Sequence, residues 1–308
     1  MIAPYAIGID AGSTNVKGVA VDSSGSVRAR RTTAIGERQL PDVVGDVAGE
    51  LAEAIGERPR AFGLSAPGIA SADRRSIWWM QGRRDELQGF DWSSRFDSWG
   101  PVQVLNDAHA ALLVEIWAGA AKGCENVILL TLGTGVGGAA VVDGRLLRGH
   151  LGRAGHFGHI SLDPRGPADI VRTPGSLEMA IGECTLLDRS GGRFRSTAEL
   201  LAADDPAARS IWSESVRALA CGLVSLINVL DPERVVLGGG MIAAGDRLFT
   251  PLRAELDTLE WRPHGRAVEL VPAAAGEYAG ALGAAFNAME ATPDLLASRL
   301  DDSRTSCS

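Results

Sequence analysis

The run Leu130-Thr131-Leu132-Gly133-Thr134-Gly135-Val136-Gly137-Gly138-Ala139-Ala140-Val141-Val142-Asp143-Gly144 separates two quite different folds. Its glycines fall at the spacing G-x-G-x-x-G, which in a dinucleotide-binding fold ends a strand and opens a helix. Here they are followed by Ala139–Val142 and Asp143-Gly144, an apolar strand running into a tight turn. No Gly-Lys-Ser/Thr closes the loop as in a P-loop. The stretch reads instead as a strand Val127–Leu132, a glycine and threonine turn, and a returning strand. Backbone N–H groups and threonine hydroxyls in such a turn can cradle phosphate, and a nicotinamide site is not expected.

The same design stands at the N-terminus. Tyr5–Asp10 is a strand, Ala11-Gly12-Ser13-Thr14-Asn15 a turn, Val16–Asp22 a second strand and Val27–Thr33 a third. A carboxylate at a strand end, then Gly12, Ser13, Thr14 and Lys17, suits phosphate with Mg²⁺ held by Asp10 through water, with an ordinary Gly-Ser turn between strands as the equal alternative. Pro41 opens a helix with Val43, Val44, Val47, Leu51 and Ile55 on one face. Ala61–Ser65 is a strand leading into Pro67-Gly68. Val102–Leu105 is another, followed by Asn106-Asp107 and a helix over Ala108–Ala120. Past the hairpin, Pro206–Leu230 is a long helix, Val235–Leu237 a strand ending in Gly238-Gly239-Gly240, Val268–Pro272 a strand and Ala279–Met289 a closing helix. The tail after Thr292 is polar and expected to fray. Two α/β units, packed as lobes around a cleft, follow from this repetition.

Composition narrows the function. The 308 residues carry 30 basic and 38 acidic side chains, net −8, which argues against coating a polyanion. Glycine reaches 38 residues while aromatics are only 5%, so the core is aliphatic and the glycines are needed at turns and close approaches. Cys124, Cys184, Cys221 and Cys307 are scattered with no CxxC and read as reduced thiols of a cytoplasmic protein. No membrane span is expected.

Two further groups carry polar chemistry. Asp107 at a helix start suits a general base, although a dipeptide of this kind is more often a plain cap. His156 and His159 in Gly155-His156-Phe157-Gly158-His159, with Glu178 beyond, lie in a glycine-rich setting unlike a core. Solvated loop histidines are the bland alternative.

Taken in order, these segments resemble the ROK (repressor/ORF/kinase) family of sugar kinases, within the actin, hexokinase and heat-shock ATPase superfamily. The resemblance covers residues 5 to about 290. It implies a two-lobed α/β fold, each lobe a mixed sheet with flanking helices, with residues 1–106 plus 279–308 forming the smaller lobe and 107–278 the larger. It implies ATP and Mg²⁺ as cofactors and suggests a homodimer, while the charge balance and the lack of a span lead us to expect no nucleic-acid or membrane partner. By position, Asp10, Gly12, Ser13, Thr14 and Lys17 match the first phosphate loop. Thr131, Gly133, Thr134 and Gly135 match the second, and Gly238, Gly239 and Gly240 the adenosine contact. Asp107 matches the catalytic base. Asn106, Gly68, His156, His159 and Glu178 match the sugar site. The activity implied is ATP-dependent phosphorylation of a glucose-type hexose at its 6-hydroxyl.

The sequence also departs from the family pattern. His156 stands where the family usually has Glu, as in some N-acetylmannosamine kinases, which keeps an N-acetylhexosamine kinase open as an alternative. Counting from His159, the family's zinc-binding cysteines fall on Asp169, Val171 and Ser176, so no structural zinc is expected. Pro164, Pro167 and Pro174 are candidates for stiffening that loop, and a His156/His159/Asp169 metal site is a lesser alternative. Gln81 lies near where relatives often show Asn. Repressor members carry a helix-turn-helix ahead of the first phosphate loop, and a first strand at residue 5 leaves no room for it. A catalytically silent sugar-binding regulator is the remaining alternative.

Overall fold

The computed structural model describes residues 3–80, 85–203, 205–292 and 295. Gln81 and nearly all of the polar tail lie outside the described residues. The chain divides into two compact units, one of residues 1–122, 148–153 and 274–308, the other of residues 123–147 and 154–273.

In the first unit β1 (Tyr5–Ala11), β2 (Asn15–Asp22) and β3 (Val27–Ala34) form an antiparallel meander, followed by helix α1 (Leu40–Ile55). The strands β4 (Ala61–Ala66) and β7 (Val102–Asn106) extend the sheet in parallel, giving the order β3-β2-β1-β4-β7. A small hairpin, β5 (Ile69–Ala70) and β6 (Ile77–Trp79), lies between them in sequence. Helix α2 (Asp107–Ala118) follows β7.

Side-chain alternation along β1 explains the layering. Ile7 and Ile9 join Val43, Val44, Val47 and Leu51 of α1 in one fully buried cluster. Ala6 points the other way, toward Ala281, Ala285 and Ala288. Those alanines belong to the Ala279–Glu290 helix, which returns to this unit after the second is complete.

That helix lies unusually close to the sheet. Gly8 and Gly63 are register partners on β1 and β4. A Cβ on Gly8 would strike the backbone of Ala281, and one on Gly63 the backbone of Ala284. Gly283 makes the same allowance toward Ala110 of α2. The high glycine and alanine content is thus partly a packing requirement. It also shifts the domain boundary from the one expected at residues 106 and 107. Because α2 packs on the returning helix, it belongs to the first unit, and the chain crosses over at residues 122/123 and 273/274 instead. Buried Glu115 fixes this arrangement, accepting N–H bonds from Ala120 at 2.7 Å, Ala274 at 2.9 Å and Ala275 at 2.8 Å.

The second unit repeats the sheet order. The strands β8 (Val127–Leu132), β9 (Val136–Val142), β10 (Arg145–Leu146), β11 (Arg234–Gly238) and β12 (Glu269–Pro272) run β10-β9-β8-β11-β12, with the same antiparallel and parallel steps as the first sheet. The antiparallel β8/β9 pair is the hairpin expected from the glycine run. Helix α3 (Leu177–Ile181) follows the histidine segment, and α4 (Pro206–Leu230) and α5 (Asp246–Leu259) pack beside it. Helix α4 is long and apolar enough to cross a membrane by length and composition. Its Val216, Leu219, Ala220 and Leu223 are instead buried against Leu248, Leu252 and Leu256 of α5, as in a core helix. The sequence reading names no element over α5. Pro251 within it is the usual breaker signal, yet it sits in the second turn of a helix whose apolar stripe still reaches the core.

Candidate active site

In the first unit, Asp10 and Ser65 are in-register neighbours on β1 and β4, and the Ser65 hydroxyl donates to Asp10 Oδ1 at 2.8 Å. Burial pushes the Asp10 carboxyl up to about 6, and the charge of Asp107 adds to the rise, while the Ser65 bond and Lys17 oppose it. Gly280, near the start of the returning helix, makes this possible. A Cβ there would lie 2.7 Å from Asp10 Cγ and 2.9 Å from Ser65 Oγ. Neither Ser65 nor Gly280 is singled out by the sequence reading.

The turn after Asp10 is tight and open. A Cβ on Gly12 would meet the Asn15 carbonyl at 2.9 Å, and Ser13 and Thr14 are exposed. Lys17 pairs in register with Asp10, but its ammonium donates to the Glu277 carbonyl at 3.0 Å and lies near the Glu277 carboxylate. The structure therefore ties Lys17 to the returning segment.

Asn106 and Asp107 divide the work of one helix start. Asn106 is buried and caps α2, its Oδ1 accepting from Ala108 N–H at 2.9 Å and His109 N–H at 3.4 Å. Its Nδ2 donates to the Gly68 carbonyl at 3.0 Å. Gly68 has φ 99°, the left-handed region, and a Cβ there would meet Trp79 O at 2.7 Å. Asn106 thus fixes the Gly68 bend, and Asp107 beside it is left exposed at the strand end.

In the second unit the two glycine turns meet. Because β8 and β11 are parallel neighbours with Gly238 opposite Thr131, Gly238-Gly239-Gly240 lies beside Gly133-Thr134-Gly135. Gly239 has φ 86° and sits against the backbone of Leu132, where any Cβ would clash. Nothing within 4 Å would obstruct a Cβ on Gly240, so its face is open. The carbonyls of Gly133 and Thr134 accept N–H bonds from Glu183 at 3.0 Å and Cys184 at 2.8 Å, which anchors the turn.

Glu178 lies in the first turn of α3, which Ser176 caps. Its Oε2 accepts the Val136 N–H at 2.9 Å and lies where a Cβ on Gly135 would fall. The histidine segment is pressed onto the same hairpin, since Gly158 packs against Val136 and Phe157 against Gly138. His156, His159 and Glu178 are therefore gathered around β9.

His159 Nδ1 lies 2.8 Å from Asp169 Oδ2, and the Asp169 side chain is fully buried. Asp169 Oδ1 accepts from Val171 N–H at 3.0 Å and Thr173 N–H at 2.8 Å. Burial raises the Asp169 carboxyl, but the bonds from His159, Thr173 and Ser176 outweigh it and the net shift is downward. A carboxylate cage thus organises the loop where the resemblance places zinc ligands. Backbone carbonyls of the same loop add to it, Pro174 O accepting from Ser161 Oγ at 2.7 Å and Pro167 O from Gly175 N–H at 2.8 Å. Among the described residues no cluster of three or more His, Cys, Asp or Glu side chains is placed to hold a metal ion.

The ROK family model matches residues 6–291. The chain belongs to the ROK family. It is 30% identical to the glucokinase of Streptomyces coelicolor over 93% of this chain and 98% of that one. Its fold matches the ROK hexokinase of Thermus thermophilus with a TM-score of 0.80 at 30% identity, over 94% of this chain and 99% of that one. It matches a ROK family glucokinase from Streptomyces griseus in complex with glucose and AMPPNP with a TM-score of 0.76 at 27% identity, over 93% and 99% of the two chains. The ROK chain has the two-unit α/β fold of these hexokinases.

Proposed function

We propose that this ROK protein is an ATP-dependent sugar kinase that phosphorylates a glucose-type hexose at its 6-hydroxyl. The glucokinase relatives and the nucleotide-bound neighbour support a sugar kinase. The observation that carries the reading to residues is that Asp10 and exposed Asp107 stand at the same end of one sheet, Asp10 opposite Ser65 on β4 and Ser65 opposite Leu105 on β7, two residues before Asp107. Asp107 accepts the proton of the attacking hydroxyl, an effect worth roughly 10²–10⁴ in rate. Turn residues Gly12, Ser13 and Thr14 orient one part of the triphosphate, and Thr131, Gly133, Thr134 and Gly135 another. Gly238, Gly239 and Gly240 leave room for the adenosine. His159, held by Asp169, and Glu178 orient the sugar with Asn106, Gly68 and His156. Alignment supplies most of the remaining acceleration, because phosphoryl transfer leaves little covalent work for protein groups.

Asp10 fits a magnesium ion. Its carboxyl is raised by burial and by a neighbouring anion, and a divalent cation relieves both penalties. One carboxylate with water and phosphate oxygens is an ordinary set for this ion. When bound, magnesium neutralises charge on the transferring phosphoryl group.

His156 favours a second reading, an N-acetylhexosamine kinase. A cytoplasmic, homodimeric enzyme is the setting proposed for either. The test is ADP release with glucose, N-acetylglucosamine and N-acetylmannosamine. Glucose turnover lost in Asp107→Asn with sugar binding retained is the expected result. Turnover of the Asn variant within a few-fold of wild type overturns the base, and preference for an N-acetylated sugar overturns the substrate.

A further inference from the structure

A cavity of about 500 Å³ lies wholly within the first unit. That size is ordinary for a small-molecule site. Its wall is drawn from the β5/β6 hairpin, from His109 on α2, and from the segment 148–152. Asp10, Asn106 and Asp107 do not line it, although His109, whose N–H donates to Asn106 Oδ1, brings it next to the proposed acceptor site. Its lining includes Arg74, Arg148, His109 and His150 and no aspartate or glutamate, in a chain of net charge −8.

The two arginines are placed against ordinary electrostatics. Arg28, Arg193 and Arg262 each pair with a carboxylate. Neither Arg74 nor Arg148 does so among the described residues. Arg148 is half-buried with Arg74 as its charged neighbour, and burial and that like charge together push its guanidinium down to about 10. Arg74 makes one long bond, Nη1 to Gln103 Oε1 at 3.3 Å. Its backbone is held at φ 59°, costly for a residue with a side chain. Two bonds enforce that conformation, Arg74 N–H to Ser71 O at 3.0 Å and Val104 N–H to Arg74 O at 2.8 Å. The chain thus maintains a strained backbone that presents a second guanidinium to the first. Beside them Trp78 and Leu151, 42% and 45% exposed, add an apolar surface, joined by the indole N–H donating to Leu151 O at 3.3 Å.

We propose that this cavity binds a small phosphorylated organic molecule, its phosphate between Arg74 and Arg148 and its carbon body against Trp78 and Leu151. Planar guanidinium forks match phosphate oxygens in geometry and charge. The indole face accounts for a preference for an ester over the bare ion.

Calorimetric titration of the full chain with inorganic phosphate and with glycerol 3-phosphate tests this. The ester is expected to bind more tightly than the ion, and Arg148→Gln to weaken both by about tenfold or more. Arg148→Lys recovers part of that loss, and Trp78→Ala removes only the ester's advantage. Asp107→Asn leaves both affinities unchanged, which separates this site from the proposed kinase chemistry. Arg266→Gln, at an exposed arginine of the second unit, is the control. Affinities in Arg148→Gln within twofold of wild type overturn the site, as does an equal loss in Arg266→Gln. Equal binding of the two probes overturns the role of Trp78 and Leu151.

Discussion

Replacing Asp169 tests whether its carboxylate holds His159 and the loop around it. Besides the Ser176 hydroxyl, three donors converge on this buried group: His159 Nδ1 at 2.8 Å, Val171 N–H at 3.0 Å and Thr173 N–H at 2.8 Å. Asp169→Ala leaves all three without an acceptor. Stranding one buried donor costs about 1–3 kcal/mol. A loss of about 3–5 kcal/mol is therefore expected, because partial water entry keeps the sum below three full penalties. Asp169→Asn retains one oxygen for the backbone donors but turns an amide N–H toward His159, costing about 1.5–3 kcal/mol. The imidazole must then accept at Nδ1 and carry its proton on Nε2, the opposite of the tautomer the carboxylate enforces. Urea unfolding at pH 7.5 reads the stability, and ¹⁵N NMR of the His159 ring reads the tautomer. The sign with pH is fixed: Asp169 is lowered in the folded state, so its contribution is complete above the unfolded value of about 3.9 and is lost as pH falls through the folded value. The gap between wild type and the Asn variant should close in that acid range. An Asn variant within about 0.5 kcal/mol of wild type at pH 7.5, with an unchanged tautomer, refutes the reasoning.

Asp10 titrates the other way. Its folded value of about 6 lies above the unfolded one of about 3.9, so ionisation lowers stability as pH rises between the two. Asp10→Asn should melt higher than wild type at pH 8 while losing turnover, and scanning calorimetry beside the ADP assay checks both. Ser65→Ala deletes a bond that favours the anion, so the acid limb of kcat/KM should move to higher pH; a limb that stays in place removes Ser65 from the site. Gly63→Ala puts a methyl group into the Ala284 backbone and should cost about 1–3 kcal/mol in chemical denaturation. Glu115→Ala strands the N–H groups of Ala120, Ala274 and Ala275, so hydrogen exchange at those three amides should accelerate well beyond that of the sheet.

The turns were readable from the sequence because their chemistry is local. Gly133-Thr134-Gly135 and Gly12-Ser13-Thr14 are contiguous, and the strands around them show in hydrophobicity alone. The β8/β9 hairpin appeared because the apolar run after the glycines is too short and too soon followed by Asp143-Gly144 for a helix. What escaped notice is set by partners distant in sequence. Ser65 meets Asp10 through strand register, 55 residues away. Gly280 matters only because a helix crosses the end of that strand pair. Glu115 looks like an ordinary helix residue until Ala274 and Ala275 arrive, about 160 positions later. Asp169 was visible as a position where a cysteine is absent and as a lesser candidate metal ligand, and its cage depends on a loop turning back on itself. The domain boundary was displaced for the same reason, since α2 owes its place to a helix not yet made when it is.

The return of the Ala279–Glu290 helix has a consequence for how the chain emerges during synthesis. The ribosome completes all five strands of the first sheet, and then the whole second unit, before it delivers the helix that covers Gly8 and Gly63. Until then one face of that sheet is bare, and its glycine-lined strands offer neighbouring nascent chains a flat surface on which to stick. The returning helix therefore acts as a late seal, and changes that slow its docking should reduce yield from cells well before they alter the thermal midpoint of the finished protein.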